Sequence, residues 1–143
     1  MRKSIAFTLT ITLLLLLGAN YALSADYRIV VKTGNVENAG TDAHVYITLI
    51  GDYRSSGERE LDSPKNDFER YQADTFSIHT AKFLGDLLFV RIRHDNSGKK
   101  PGWFLDYITV HEEDSDRMWY FPCNRWLAVD TDDHLIDRYL DPY

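Results

Sequence analysis

The 143-residue sequence holds one cysteine, Cys123. An internal disulfide is therefore excluded, and a small domain without that staple has to be held by its apolar core. The lone thiol is expected buried and inert. Also missing are the patterns that carry common chemistries. No Gly-x-Ser-x-Gly elbow presents a nucleophile, and Cys123 sits among bulky residues in "YFPCNRW". No His-x-x-x-His, Cys-x-x-Cys or EF-hand spacing marks a metal site, and His44, His79, His94 and His111 are scattered. No enzyme is legible in these residues. Basic side chains are few, 16 against 22 acids, and they do not cluster. A net acidic chain lacks the Lys and Arg density that phosphate backbones need, so nucleic acid is not an expected partner.

Long helical periodicity is absent too, apart from one apolar run near the start. Arg2 and Lys3 precede an uncharged stretch from Ile5 to Ala19, and the small residues of "ALSA" follow. This is the three-part pattern of a secretory leader, expected to span residues 1–25 and to be cut beside Ser24 or Ala25. A retained membrane anchor is the alternative, since the uncharged stretch is long enough to span a bilayer. Residues 26–143 then form one domain, expected outside the cell. Arg2 and Lys3 are the only charges in the first 25 residues, so that domain keeps 14 bases against 22 acids and a net charge of −8.

What remains is short alternating runs divided by turn residues. "YRIVVK" sets Tyr27, Ile29 and Val31 on one face, and "HVYITLIG" sets Val45, Ile47 and Leu49. "DTFSIHT" offers Phe76 and Ile78, and "LLFVRIRH" offers Leu88, Val90 and Ile92. "GWFLDYITVHE" and "RMWYFPC" follow, with a further pair near 125–129 and 134–140. Period-2 strands with one apolar face must stack two sheets. The expected fold is all-β: an eight-stranded antiparallel sandwich of two four-stranded sheets. Phe76, Val90, Ile108 and Trp126 are expected in its core. Carrying the phase of Ile108 and Val110 backward puts Phe104 inside and turns Trp103 outward.

The loops are rich in oxygen donors. "GNVENAGTDA", "LDSPKNDFERYQAD" and "RHDNSGKKPG" place Asp, Asn and Glu beside Gly or Pro. Such loops suit a hard cation such as Ca²⁺, which takes six to eight oxygens in irregular geometry. Ordinary turn chemistry accounts for the same composition.

The ordered segments "AGTDAHVYITL", "NDFERYQADTFSI", "LGDLLFVRIRHDNSG", "PGWFLDYITV" and "YFPCNRWL" together resemble the PLAT, or lipoxygenase-homology, domain. The resemblance runs from about Tyr27 to Leu127. It implies a non-catalytic sandwich that docks on membranes or protein partners, often with low-affinity calcium in its loops. Position by position, it implies calcium ligands at Asn38, Gly40 (through its carbonyl), Asp42, Asp62, Asn66, Asp67 and Glu69. Glu37 and Asn38 stand where inserting relatives carry bulky aromatics, so the expected contact is peripheral: Trp103 at the interface, with Lys99 and Lys100 on lipid headgroups. A monomer is expected, and a protein-interaction module with no calcium or lipid dependence is the alternative.

Overall fold

The computed structural model describes residues 24–143. The expected leader therefore lies, but for its last two residues, outside the described part. Eight strands follow in order: β1 (Ala25–Thr33), β2 (Val45–Gly51), β3 (Arg59–Leu61), β4 (Ala73–Thr80), β5 (Leu87–His94), β6 (Trp103–Glu112), β7 (Arg117–Leu127) and β8 (Asp137–Leu140). Two four-stranded sheets have the orders β4-β1-β6-β7 and β3-β2-β5-β8, and every pairing is antiparallel. The expected sandwich is what forms.

Alternation drives the assembly. Tyr27, Ile29 and Val31 of β1 and Val45, Ile47 and Leu49 of β2 are buried, while their neighbours are wholly or partly exposed. Phe76, Val90 and Ile108 join them in one continuous core, as expected. The strand inventory differs in two places. Residues 125–127 continue β7 rather than starting a new strand. The short β3, which no alternating run announces, completes the second sheet.

Three core expectations fail for one shared reason, the β-bulge, in which an extra residue reverses the inward phase. On β6, Lys32 pairs with Tyr107 but Thr33 pairs with Leu105, leaving Asp106 as the extra residue. Beyond it the phase flips. Trp103 and Leu105 are fully buried, and Phe104 lies on the outer face. Trp103 therefore does not face outward; it packs against Phe68 and donates from its indole N–H to Thr33 Oγ1 at 2.9 Å. Trp126, opposite Phe104 in the ladder, shares that outer face and is only half-buried, so it is not core. On β5, Ile50 pairs with Phe89 and Gly51 with Leu87, so Leu88 is the extra residue and is 47% exposed.

The connections β1–β2, β3–β4, β5–β6 and β7–β8 all fall at one end of the sandwich, because successive strands run in opposite directions. The connections β2–β3, β4–β5 and β6–β7 fall at the other. β1 starts, and β8 finishes, at that second end.

Candidate cation and headgroup site

The three oxygen-rich loops meet at the first end. Thr41 N–H donates to Phe68 O at 3.1 Å, joining the β1–β2 loop to the β3–β4 loop. Asp42 N–H donates to Lys100 O at 3.1 Å and Lys100 N–H returns to Asp42 Oδ2 at 3.2 Å, joining the first loop to β5–β6. Thr41 Oγ1 adds a bond to Pro101 O at 2.7 Å.

Two backbone features make this convergence possible. A Cβ at Gly40 would sit 2.9 Å from Phe68 O, so only glycine allows the two loops to approach this closely. Phe68 itself has φ +61°, which is costly for a bulky side chain. Its N–H donates to the buried Asp74 carboxylate at 2.8 Å, and its ring lies against Phe76 and Trp103, which together fix the conformation. The strained residue lies directly between Asp67 and Glu69.

The seven residues implied as ligands fall into two neighbouring clefts that share one member. A cleft of about 190 Å³ is lined by Asn38, Gly40, Asp42 and Glu69, together with Arg70 and Lys100. A second, of about 230 Å³, is lined by Asp42, Asp62, Asn66 and Asp67, together with His44 and Glu60. Asp42 belongs to both. Asp67 is partly committed to its own turn, accepting from Ser63 N–H at 2.8 Å and Ser63 Oγ at 2.6 Å. Among the described residues no three acidic, imidazole or thiol side chains converge in metal-holding geometry. A cation here would complete its shell with Asn oxygens, backbone carbonyls and water. The seven implied ligands are all oxygen donors, a set that suits a hard cation such as Ca²⁺.

Lys99 and Lys100 are exposed, and both line a third cleft of about 540 Å³ at the same end. The aromatic beside them is Trp126, not Trp103, and Glu37, Asn38 and Asp130 complete the rim. Trp126 packs edge-to-face on Phe104, with ring centroids 5.5 Å apart. Its place was hidden in the sequence because it depends on the register of β7 against β6.

His94 anchors this end from below. Its Nε2–H donates to Leu127 O at 2.7 Å, and its Nδ1 accepts from Asn96 N–H at 3.0 Å, so both ring nitrogens are satisfied only in the neutral form. Burial holds its pKa below the ordinary value of 6.5, outweighing the opposing Leu127 bond. The unfolded chain thus takes up this proton at higher pH than the folded one. The stability tied to neutral His94 is complete above about pH 6.5 and is lost as pH falls through the folded pKa. The exposed His44 works the other way. Its hydrogen bond to Glu60, helped by the charge of Glu60, raises its pKa, so its contribution is present below 6.5 and fades as pH rises. A falling melting temperature from pH 6.5 to 5 is expected, flattened in His94→Gln and steepened in His44→Ala. Cys123 is half-buried, and burial pushes its thiol up to about 11, which keeps it a poor nucleophile.

The structure is thus a two-sheet antiparallel sandwich with three loops rich in oxygen donors gathered at one end. The chain belongs to the PLAT/LH2 domain family, whose model matches residues 27–140. It is 44% identical over 117 residues to the lipoxygenase homology domain-containing protein 1 of Mus musculus, covering 80% of this chain and 6% of that protein. It is 42% identical over 106 residues to polycystin-1 of Homo sapiens, covering 74% of this chain and 2% of that one. The chain thus spans a small fraction of the curated relatives it matches. Among solved structures, a coral 8R-lipoxygenase superposes with a TM-score of 0.71 at 30% identity, covering 82% of this chain and 17% of that one. That enzyme is described as having calcium activation via a C2-like domain. PLAT domains are non-catalytic modules that mediate membrane or protein interactions.

Proposed function

We propose that this chain is a secreted, non-catalytic module that docks peripherally on anionic lipid headgroups with the help of calcium. The observation that carries the reading is the grouping, at one end of the sandwich, of two clefts rich in oxygen donors that share Asp42, one of them acidic, with a third cleft that offers Lys99, Lys100 and Trp126. Calcium held by Asp42, Glu69 and Asn38, or by Asp42, Asp62, Asn66 and Asp67, offsets the acidic charge that would otherwise repel such a surface. It also offers open coordination positions to phosphate oxygens. Trp126 places an amphipathic ring at the same level, where an indole suits a lipid interface. The calcium activation described for the coral 8R-lipoxygenase supports the calcium part of this reading.

Two measurements test it. In calorimetry, calcium is expected to bind at roughly 10⁻⁴–10⁻³ M, the range of extracellular modules. Asp42→Ala should weaken binding at both clefts and Asp67→Ala at one only. No heat from the wild type at millimolar calcium would reduce the loops to ordinary turns. In co-sedimentation with phosphatidylserine-containing vesicles, Lys99→Ala with Lys100→Ala should lose about 2 kcal/mol, near 30-fold, at about 1 kcal/mol per cation near the surface. Trp126→Ala should weaken binding further, whereas Trp126→Phe should weaken it less. Absence of vesicle binding by wild type in calcium would sink the lipid reading and leave the protein-partner one.

A further inference from the structure

Both sheets have open edges, and three of the four edge strands are blunted. β3 has three residues and β8 has four. β7 carries Pro122 and a register break between Arg125 and Pro122, and its Tyr120 carbonyl accepts from Tyr143 N–H at 2.9 Å. Short strands, prolines and bulges are the usual defences of an edge. β4, eight residues long, has none of them. Its exposed side chains over the first two-thirds, Ala73, Thr75 and Ser77, are small and uncharged.

Two hydrogen bonds fix which backbone groups face outward. Gln72 O accepts from Thr33 N–H of β1 at 3.0 Å, so even-numbered residues point into the sheet. His79 O accepts from the Arg59 guanidinium at 3.1 Å, so odd-numbered residues point away from it. Arg59 thereby closes the far end of the edge. The N–H and C=O of Ala73, Thr75 and Ser77 face outward with no partner among the described residues, and beside Ala73–Thr75 lies a cleft of about 580 Å³ whose opposite wall is the 63–66 loop.

We propose that the β4 edge is a second binding site, which takes an extended peptide segment of a partner protein as an added antiparallel strand. The occupant follows from the pattern of the free groups. Alternating donors and acceptors at strand spacing are matched only by another extended backbone. From Ala73 to Ser77 the edge is about 14 Å long, room for roughly five added residues. The wall formed by Pro64 and Lys65 stands beside the edge, which suits a single chain better than the edge of a second sheet. Neutral, small residues at Thr75 and Ser77 favour Thr, Ser or Val opposite them. Its cleft shares Asn66 and Asp67 with the second cation cleft, but strand addition uses the β4 backbone groups and needs neither calcium nor lipid.

The test uses the folded protein in chelator without lipid. A randomised octapeptide library is selected on it, and the best sequence is synthesised both unmodified and N-methylated at alternate residues. Binding is followed by calorimetry and by amide exchange. Exchange at Thr75 and Ser77 should slow at least about tenfold on saturation while amides on the β7 and β8 edges are unaffected. Thr75→Pro removes an outward N–H and no ladder bond, so it should fold and bind at least about tenfold more weakly. Ser77→Pro should do the same. One of the two N-methylated series should lose binding, a result that needs no protein variant. Failure to select a binder, protection confined to other edges, or equal binding by both proline variants and both N-methylated peptides would overturn the proposal. So would a dimer in sedimentation that Thr75→Pro abolishes, which would make the occupant a second copy.

Discussion

Trp103→Ala is expected to cost about 3–5 kcal/mol, the range for removing a large aromatic from a core. The indole is fully buried under the loop end, in contact with Phe68, and its N–H satisfies Thr33 Oγ1. Truncation would leave a cavity beneath a residue already held at positive φ, so the β3–β4 loop should loosen with the core. Domains of this size have only about 5–15 kcal/mol in total, and the variant is expected to melt far below wild type. Trp103→Phe refills much of the volume but leaves the buried Thr33 hydroxyl without its donor, and should cost less. Trp126→Ala, by contrast, removes a half-exposed ring and one edge-to-face contact, expected to cost about 1–2 kcal/mol. Denaturant melts of the three variants check the order. A Trp126→Ala loss equal to that of Trp103→Ala would contradict the two faces assigned to these rings.

Gly51→Ala is expected to destabilise by about 3 kcal/mol, although it adds a single methyl group. Its Cβ would lie 2.1 Å from Leu84 O and 2.7 Å from the carbon of the same carbonyl, both backbone atoms. Leu84 O accepts from Tyr53 N–H at 3.0 Å and from Arg54 N–H at 3.3 Å, so moving it out of the way strains two hydrogen bonds of the β2–β3 turn. The β4–β5 connection would have to shift with it. Thermal unfolding of Gly51→Ala beside Gly57→Ala separates close approach from chain flexibility. Gly57 has open space around its Cβ position and pays only for its φ of +71°.

Period-2 alternation made the sandwich legible because a strand with one apolar face has few other ways to hide it. The same rule failed where a bulge reversed its phase. On β6 the warning was present: keeping Phe104 and Ile108 on one inward face would have buried Asp106 between them, a charge with no partner in view. On β5 there was no warning, since Leu87 and Leu88 are equally apolar and only the pairing of Gly51 with Leu87 decides between them. β3 was too short for periodicity to register. At the loop end, Asn38, Gly40 and Asp42 of one loop and Glu69 of another line one cleft, a meeting of two loops that spacing along the sequence does not show. The replacement of Trp103 by Trp126 beside Lys99 and Lys100 could not be read, because it joins the β5–β6 loop to an edge strand through long-range register.

The direction of the first and last strands has a mechanical consequence. Because β1 starts and β8 finishes at the end remote from Asp42, any polypeptide leading into or out of the sandwich attaches at its back. Such a tether would leave the loop face clear to lie flat on whatever it meets. Tension along the chain would pull β1 and β8 from the same pole and reach the loops last. A tether attached there would hold both sheets from one side, and its length would set reach without reshaping the face.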